Sequence, residues 1–195
     1  MNTAIEIFGV VTGLLYLYYE IRHDSRMWYL GIVMALVYIY LFAMEGLYAS
    51  MSYQIYYLVM SVYGIVLWKR DLARGVGEEG DTTAIVINRL RLHEGVISVS
   101  VAAAVFSLLY FVIGGYTDDS QPLLDSLVTV LSLLATYWLG RSFIQQWLLW
   151  VVINLLSILL YIRQGLYPTV VLYVFYTISA IYGYYYWKKR GVVLK

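Results

Sequence analysis

Cysteine is absent from the 195-residue sequence, and with it go disulfides, thiolate catalysis and every cysteine-held metal or iron–sulfur centre. Charge is nearly as scarce. Asp, Glu, Lys and Arg make up 13% of the chain, and no nucleic-acid partner is expected. Histidine occurs only at His23 and His93, which do not stand at metal-ligand spacing. No phosphate-binding glycine loop and no nucleophile–base constellation is present. These absences argue against an enzyme, an ATP motor, a bound metal or a cofactor. No basic leader precedes the first apolar run, which carries Glu6 instead. That run is expected to persist as a span rather than be removed as a signal peptide.

Apolar surface, by contrast, is in excess. Hydrophobic residues make up 62% of the chain, and the mean hydropathy is +0.73. A soluble core of this size does not need so much, so the surplus is expected to face lipid. The 22 tyrosines suit membrane interfaces and the wall of a pathway. Crossing a bilayer takes roughly 17–20 apolar residues. Seven runs qualify: Ile5–Ile21, Trp28–Met44, Ala49–Trp68, Gly95–Gly114, Leu123–Leu139, Ile144–Ile162 and Thr169–Trp187. Backbone polar groups in lipid must pair within their own segment, so these are read as helices. The expected fold class is an all-α integral membrane protein with seven transmembrane helices.

Lys and Arg set the expected orientation. With seven spans, the N-terminus and the loops after spans two, four and six share one side, where Arg163 is the single basic residue. The other side holds Arg22, Arg26, Lys69, Arg70, Arg74, Arg89, Arg91, Arg141, Lys188, Lys189, Arg190 and Lys195. The N-terminus is therefore expected outside and the C-terminus in the cytoplasm.

The chain also repeats itself without a gap. Trp28 pairs with Trp147, an offset of 119 (147 − 28), and the same offset joins Gly46-Leu47-Tyr48 to Gly165-Leu166-Tyr167. Tyr18 answers Tyr137, Arg22 answers Arg141, Tyr63-Gly64 answers Tyr182-Gly183, and Trp68-Lys69 answers Trp187-Lys188. Span one thus matches span five, two matches six and three matches seven. Four spans separate each pair, so the two triplets run in the same direction, and span four restores parity. The architecture expected is 3+1+3 with parallel repeats about an axis along the membrane normal, and a substrate site near midplane between the bundles. Residues 1–70 form the first bundle, 71–94 a polar cytoplasmic linker, 95–114 the connecting helix and 115–195 the second bundle.

That arrangement, together with Gln146-Trp147-Leu-Leu-Trp150-Val-Val-Ile-Asn154, resembles the PnuC family of bacterial vitamin transporters. Leu124-Asp125-Ser126, Gln164-Gly165-Leu166-Tyr167, Leu47-Tyr48-Ala49, Gln54 and Tyr63-Gly64 add to the likeness, which covers nearly the whole chain. The resemblance implies facilitated diffusion of a dephosphorylated B-vitamin across the bacterial inner membrane. It further implies a SWEET-like architecture, a homotrimer, and functional coupling to a cytoplasmic vitamin kinase. Nicotinamide riboside members commonly carry Asn where this chain has Ser61, in Ser61-Val62-Tyr63-Gly64-Ile65. Together with Leu15-Tyr-Leu-Tyr-Tyr-Glu20 and Met27-Trp28, this looks more like the short thiamine-type proteins of the PnuT branch. Thiamine is the expected substrate, and nicotinamide riboside the alternative. A sugar carrier of SWEET type and a heptahelical receptor are the readings from other classes. No Lys lies inside a span to hold retinal.

Candidate substrate residues lie on two helix faces. Trp147, Trp150 and Asn154 stand at i, i+3 and i+7. Indoles can clamp a flat cationic ring, each worth about 0.5–2 kcal/mol, and Asn supplies a donor and an acceptor. Trp147 answers Trp28, so belt or scaffold duty competes with binding. Trp150 and Asn154 answer Gly31 and Ala35, so the repeat itself does not require them. On span three, Gln54, Tyr57 and Ser61 share a face and answer Tyr173, Tyr176 and Ala180; packing glue is their alternative role. Tyr176 joins the candidates. Glu20 answers Leu139 and reads as a snorkelling surface acid near Arg22 and His23, or as a partner for a substrate cation. Asp125 opens its helix on the outer side, where it complements the helix dipole and is a gate candidate.

Overall fold

The computed structural model describes residues 3–46, 48–79, 85–116 and 121–193. The Glu6 side chain, Leu47 and the Gly80-Asp81 end of the connector's glycine-rich stretch lie outside the described residues. The elements are α1 (Thr3–Ile21), α2 (Arg26–Met44), α3 (Tyr48–Glu79), β1 (Ile85–Ile87), α4 (Leu92–Tyr116), α5 (Pro122–Gly140), α6 (Gln145–Arg163), α7 (Tyr167–Arg190) and β2 (Gly191–Val193). The fold is helical, and α2, α4, α5 and α6 are long and apolar enough to cross a membrane. In α3 and α7 the length is present, but tyrosines and other polar side chains dilute the apolar character.

The internal repeat reappears in the backbone. Shifted by the repeat offset, α1 takes the bounds of α5, α2 takes those of α6, and the first residue of α3 falls on the first of α7. The turns match as well. After α1, the Asp24 N–H donates to the Tyr19 carbonyl at 2.9 Å and the His23 N–H to Glu20 at 3.0 Å, with His23 at φ 55°. This is the Schellman pattern that closes a helix C-terminus. After α5, the Phe143 N–H donates to Trp138 at 2.9 Å and Ser142 sits at φ 55°. After α2 and α6 the left-handed position falls to Gly46 (φ 71°) and Gly165 (φ 73°), where a side chain would be strained.

Two compact units are distinguishable, each with its own tryptophan core. The first comprises Met1–Val86 with Gly140–Ser142 and Arg190–Lys195, and the second Ile87–Leu139 with Phe143–Lys189. In the first unit α2 packs on α1 and on α3. Trp28 lies against Gly64, where an added methyl would run into the indole, and meets Trp68 edge to face at 5.3 Å and 76°. In the second unit Trp147 covers Gly183, whose added Cβ would come within 2.6 Å of the ring. Trp147 also meets Trp187 edge to face at 5.5 Å and 88°. All four indoles are buried. Glycine is required at both contacts by proximity, because the helices approach across a flat ring.

One feature departs from the expected polar linker. α3 continues eleven residues beyond Trp68, to Glu79, and the buried Ile85-Val86-Ile87 strand then pairs with β2. The connector therefore carries ordered structure that its hydrophilic composition does not announce.

Candidate functional site

Of the α6 candidates, Trp147 is 1% exposed and has the same contacts as Trp28 one repeat earlier, so its position is that of a core tryptophan. Trp150 is half-buried, and Asn154 is buried at 4% exposure. The Trp150 indole N–H is buried with no hydrogen-bond partner among the described residues. In the first unit, the space beside Gly31 holds Ser61 Oγ at 2.7 Å from an added Cβ and the Tyr16 ring at 3.4 Å. The repeat equivalents of Tyr16, Gly31 and Ser61 are Ala135, Trp150 and Ala180. The large ring has moved from the first helix of one triplet to the second helix of the other. Part of the Trp150 asymmetry is thus a size exchange within the core, and its unpaired N–H is what remains to be used.

The α3 candidates form a polar cluster in the first unit. Ser61 donates to the Tyr57 carbonyl at 2.8 Å, a bond within its own helix turn. The Tyr57 hydroxyl pairs with that of Tyr53 at 2.8 Å, with the rings edge to face. Gln54 is half-buried on the same face. Glu20 is 6% exposed, which corrects the surface-acid expectation: it lies one helical turn from Tyr16 on the inward face of α1. Arg22 instead places its guanidinium over the Tyr18 ring at 4.7 Å. Tyr176 in the second unit is half-buried and packs edge to face with Tyr173. Asp125 sits in the first turn of α5, where the dipole favours an acid.

Near the turn after α1, His23 stacks on Trp68 at 3.8 Å and 9°, and its Nε2 hydrogen-bonds Ser142 Oγ at 3.0 Å. His23 and Ser142 are repeat equivalents, so the two matching turns touch through matching positions. Burial dominates the His23 environment and pushes its pKa from 6.5 down to about 3, against smaller raising effects of its backbone and of Asp24. The imidazole is neutral in the fold at physiological pH. Asp24 is partly buried, which works to raise its pKa, but hydrogen bonds from Arg26 outweigh this and hold it low.

Several buried polar side chains escaped the sequence reading. Gln146 and Ser157 on α6 and Ser126 on α5 are fully buried, and their polar side-chain atoms have no hydrogen-bond partner among the described residues. Among the described residues no group of His, Asp and Glu is arranged to hold a metal ion.

The family model described as nicotinamide mononucleotide transporter matches residues 3–189. The chain belongs to the nicotinamide mononucleotide transporter family. Within this transporter family, it is 24% identical to the nicotinamide riboside transporter PnuC of Escherichia coli over 96% of this chain and 87% of that protein. It is 25% identical to the protein of the same name from Neisseria mucosa, over 93% of this chain and 70% of that one. The fold matches the crystal structure of the vitamin B3 transporter PnuC with a TM-score of 0.66 and 22% identity, covering 92% of this chain and 78% of that one. The family membership and the apolar helices together make this transporter-family chain a multi-pass membrane protein.

Proposed function

We propose that this protein carries nicotinamide riboside across the bacterial cytoplasmic membrane by facilitated diffusion, with intracellular phosphorylation making uptake one-way. The observation that supports the substrate is the identity of the relatives, nicotinamide riboside transporters aligned over more than nine-tenths of this chain. Thiamine, expected first from Ser61 and the span-one residues, has no support among those relatives. The second of the two substrate readings thus becomes the leading one.

The seven helices are read as 3+1+3, a SWEET-like arrangement, supported by the shared bounds of α1 with α5 and α2 with α6. Residues 1–70 and 115–195 are the triplets, 71–94 the cytoplasmic linker and 95–114 the connecting helix. The charge tally supports an outside N-terminus and a cytoplasmic C-terminus. The family resemblance supports a homotrimer. For substrate contact the second unit offers Trp150, Asn154 and Tyr176, with Trp147 as their scaffold, and Asp125 as gate candidate. The first unit offers Gln54, Tyr57, Ser61 and Glu20, the last as counter-charge for a pyridinium ring.

Titration of the purified protein with nicotinamide riboside and with thiamine tests the proposal. Saturable binding of the riboside, with none of thiamine, is expected. Binding of thiamine alone overturns it.

A further inference from the structure

Three of the second-unit residues whose buried polar atoms have no partner among the described residues share one face of α6, while Gln145 and Trp147, with one such atom each, lie off it. At about 100° per residue, Gln146, Trp150 and Ser157 fall on one stripe of α6. Both side-chain polar atoms of Gln146, the Trp150 indole N–H and the Ser157 hydroxyl are buried on that stripe with no hydrogen-bond partner among the described residues. Ser126, near the start of α5 in the same unit, is in the same condition. Leaving such groups unpaired is costly in any interior and more so in lipid.

The repeat supplies the control. The equivalents of Gln146, Trp150, Ser157 and Ser126 are Met27, Gly31, Tyr38 and Ile7. Met27 is 0% exposed, as Gln146 is, so the scaffold accepts an unbranched apolar chain of nearly the same length at this position. The helix does not need an amide there. A buried amide kept where a thioether packs equally well is retained for what it can bind.

We propose that the Gln146–Trp150–Ser157 stripe reads the neutral hydrogen-bonding groups of the transported molecule, and that the Gln146 amide takes its primary carboxamide. This rests on the riboside reading above. A side-chain amide presents one acceptor and two donors, and a primary carboxamide presents the same set, so the two can pair at two points. A carboxylate in its place offers acceptors only and leaves the Gln146 carbonyl unmatched. Trp150 adds a donor and, further along the stripe, the Ser157 hydroxyl can serve a sugar hydroxyl in either sense. Gln146 is here a specificity-determining residue; the aromatic clamp on the ring belongs to other side chains.

The experiment compares wild type with Gln146→Met and Ser157→Ala, purified in detergent. Each is titrated with nicotinamide riboside and with its analogue bearing a carboxylate in place of the carboxamide, and thermal unfolding is followed alongside. Wild type is expected to prefer the carboxamide. Gln146→Met is expected to unfold at or above the wild-type temperature, to bind the carboxamide about tenfold more weakly, and to leave the analogue nearly unchanged. Ser157→Ala is expected to weaken both ligands by a similar, smaller factor. Unaltered carboxamide binding by Gln146→Met, or equal weakening of both ligands, overturns the assignment while the riboside reading stands. Should wild type bind neither riboside, that reading falls and takes this inference with it. If Gln146→Met unfolds early, Gln146→Leu replaces it: loss of the carboxamide preference supports the proposal and its retention overturns it.

Discussion

Removing the Trp147 indole leaves the face of Gly183 and the edge of Trp187 without their contacts, so Trp147→Ala is expected to cost about 3–5 kcal/mol in unfolding free energy. Trp150→Ala removes a half-buried ring whose N–H has no partner, and is expected to abolish riboside binding while the fold persists. Thermal unfolding and titration on both variants separate the two. An early-unfolding Trp150→Ala protein, or one that binds normally, would remove Trp150 from the site. His23 carries a different kind of test. Its pKa is about 3 in the fold against an ordinary 6.5, so below pH 6.5 the unfolded chain takes up a proton that the folded chain refuses. Stability from this residue is complete above pH 6.5 and falls as the pH drops toward 3. His23→Gln should flatten that decline in a series of unfolding midpoints against pH.

Element boundaries were legible wherever an apolar run ends at a charged turn. The runs Trp28–Met44 and Leu123–Leu139 correspond to α2 and α5 within two residues, because helix content in lipid follows apolar length. The continuation of α3 to Glu79 was hidden: Lys69–Glu79 has no apolar run and reads as a connector. Three-residue strands leave still less trace, since pairing partners far apart in sequence stabilise them rather than local propensity. At the site, the departures of Trp150, Asn154 and Gln146 from Gly31, Ala35 and Met27 could all be read from the repeat, whereas the burial of Gln146 could not. The significance of that residue lies in full burial without a partner, and that is a property of its surroundings. The inward turn of Glu20 was equally unreadable, since Arg22 and His23 follow it in the chain and imply a surface. The sheet gives its own prediction. Deleting residues 191–195 takes away β2, leaving the Ile85-Val86-Ile87 strand unpaired. Limited proteolysis of the connector should become several-fold faster than in wild type; unchanged cleavage would mean the pairing does not hold the connector.

At the scale of the whole molecule, conserved geometry and divergent chemistry divide between the same two triplets of helices. Tryptophan cores, glycine contacts and Schellman turns recur at the repeat offset, while Glu20, Gln146, Trp150 and Asn154 answer Leu139, Met27, Gly31 and Ala35. Duplicated scaffold residues hold the helices, and under the proposed function the unmatched ones serve a ligand that has no such symmetry. Orientation belongs to this scale too, and the absence of cysteine makes it directly testable. Any single introduced cysteine is the only thiol in the protein. Gln164, exposed in the turn after α6, neighbours the lone basic residue Arg163, and Lys189, exposed near the end of α7, lies in the basic cluster. If positive charge sets the cytoplasmic side, Gln164→Cys reacts with a membrane-impermeant maleimide in intact cells, and Lys189→Cys reacts only after permeabilisation. The opposite labelling pattern would reverse the orientation, and equal labelling of both in intact cells would contradict an odd number of spans between the two positions.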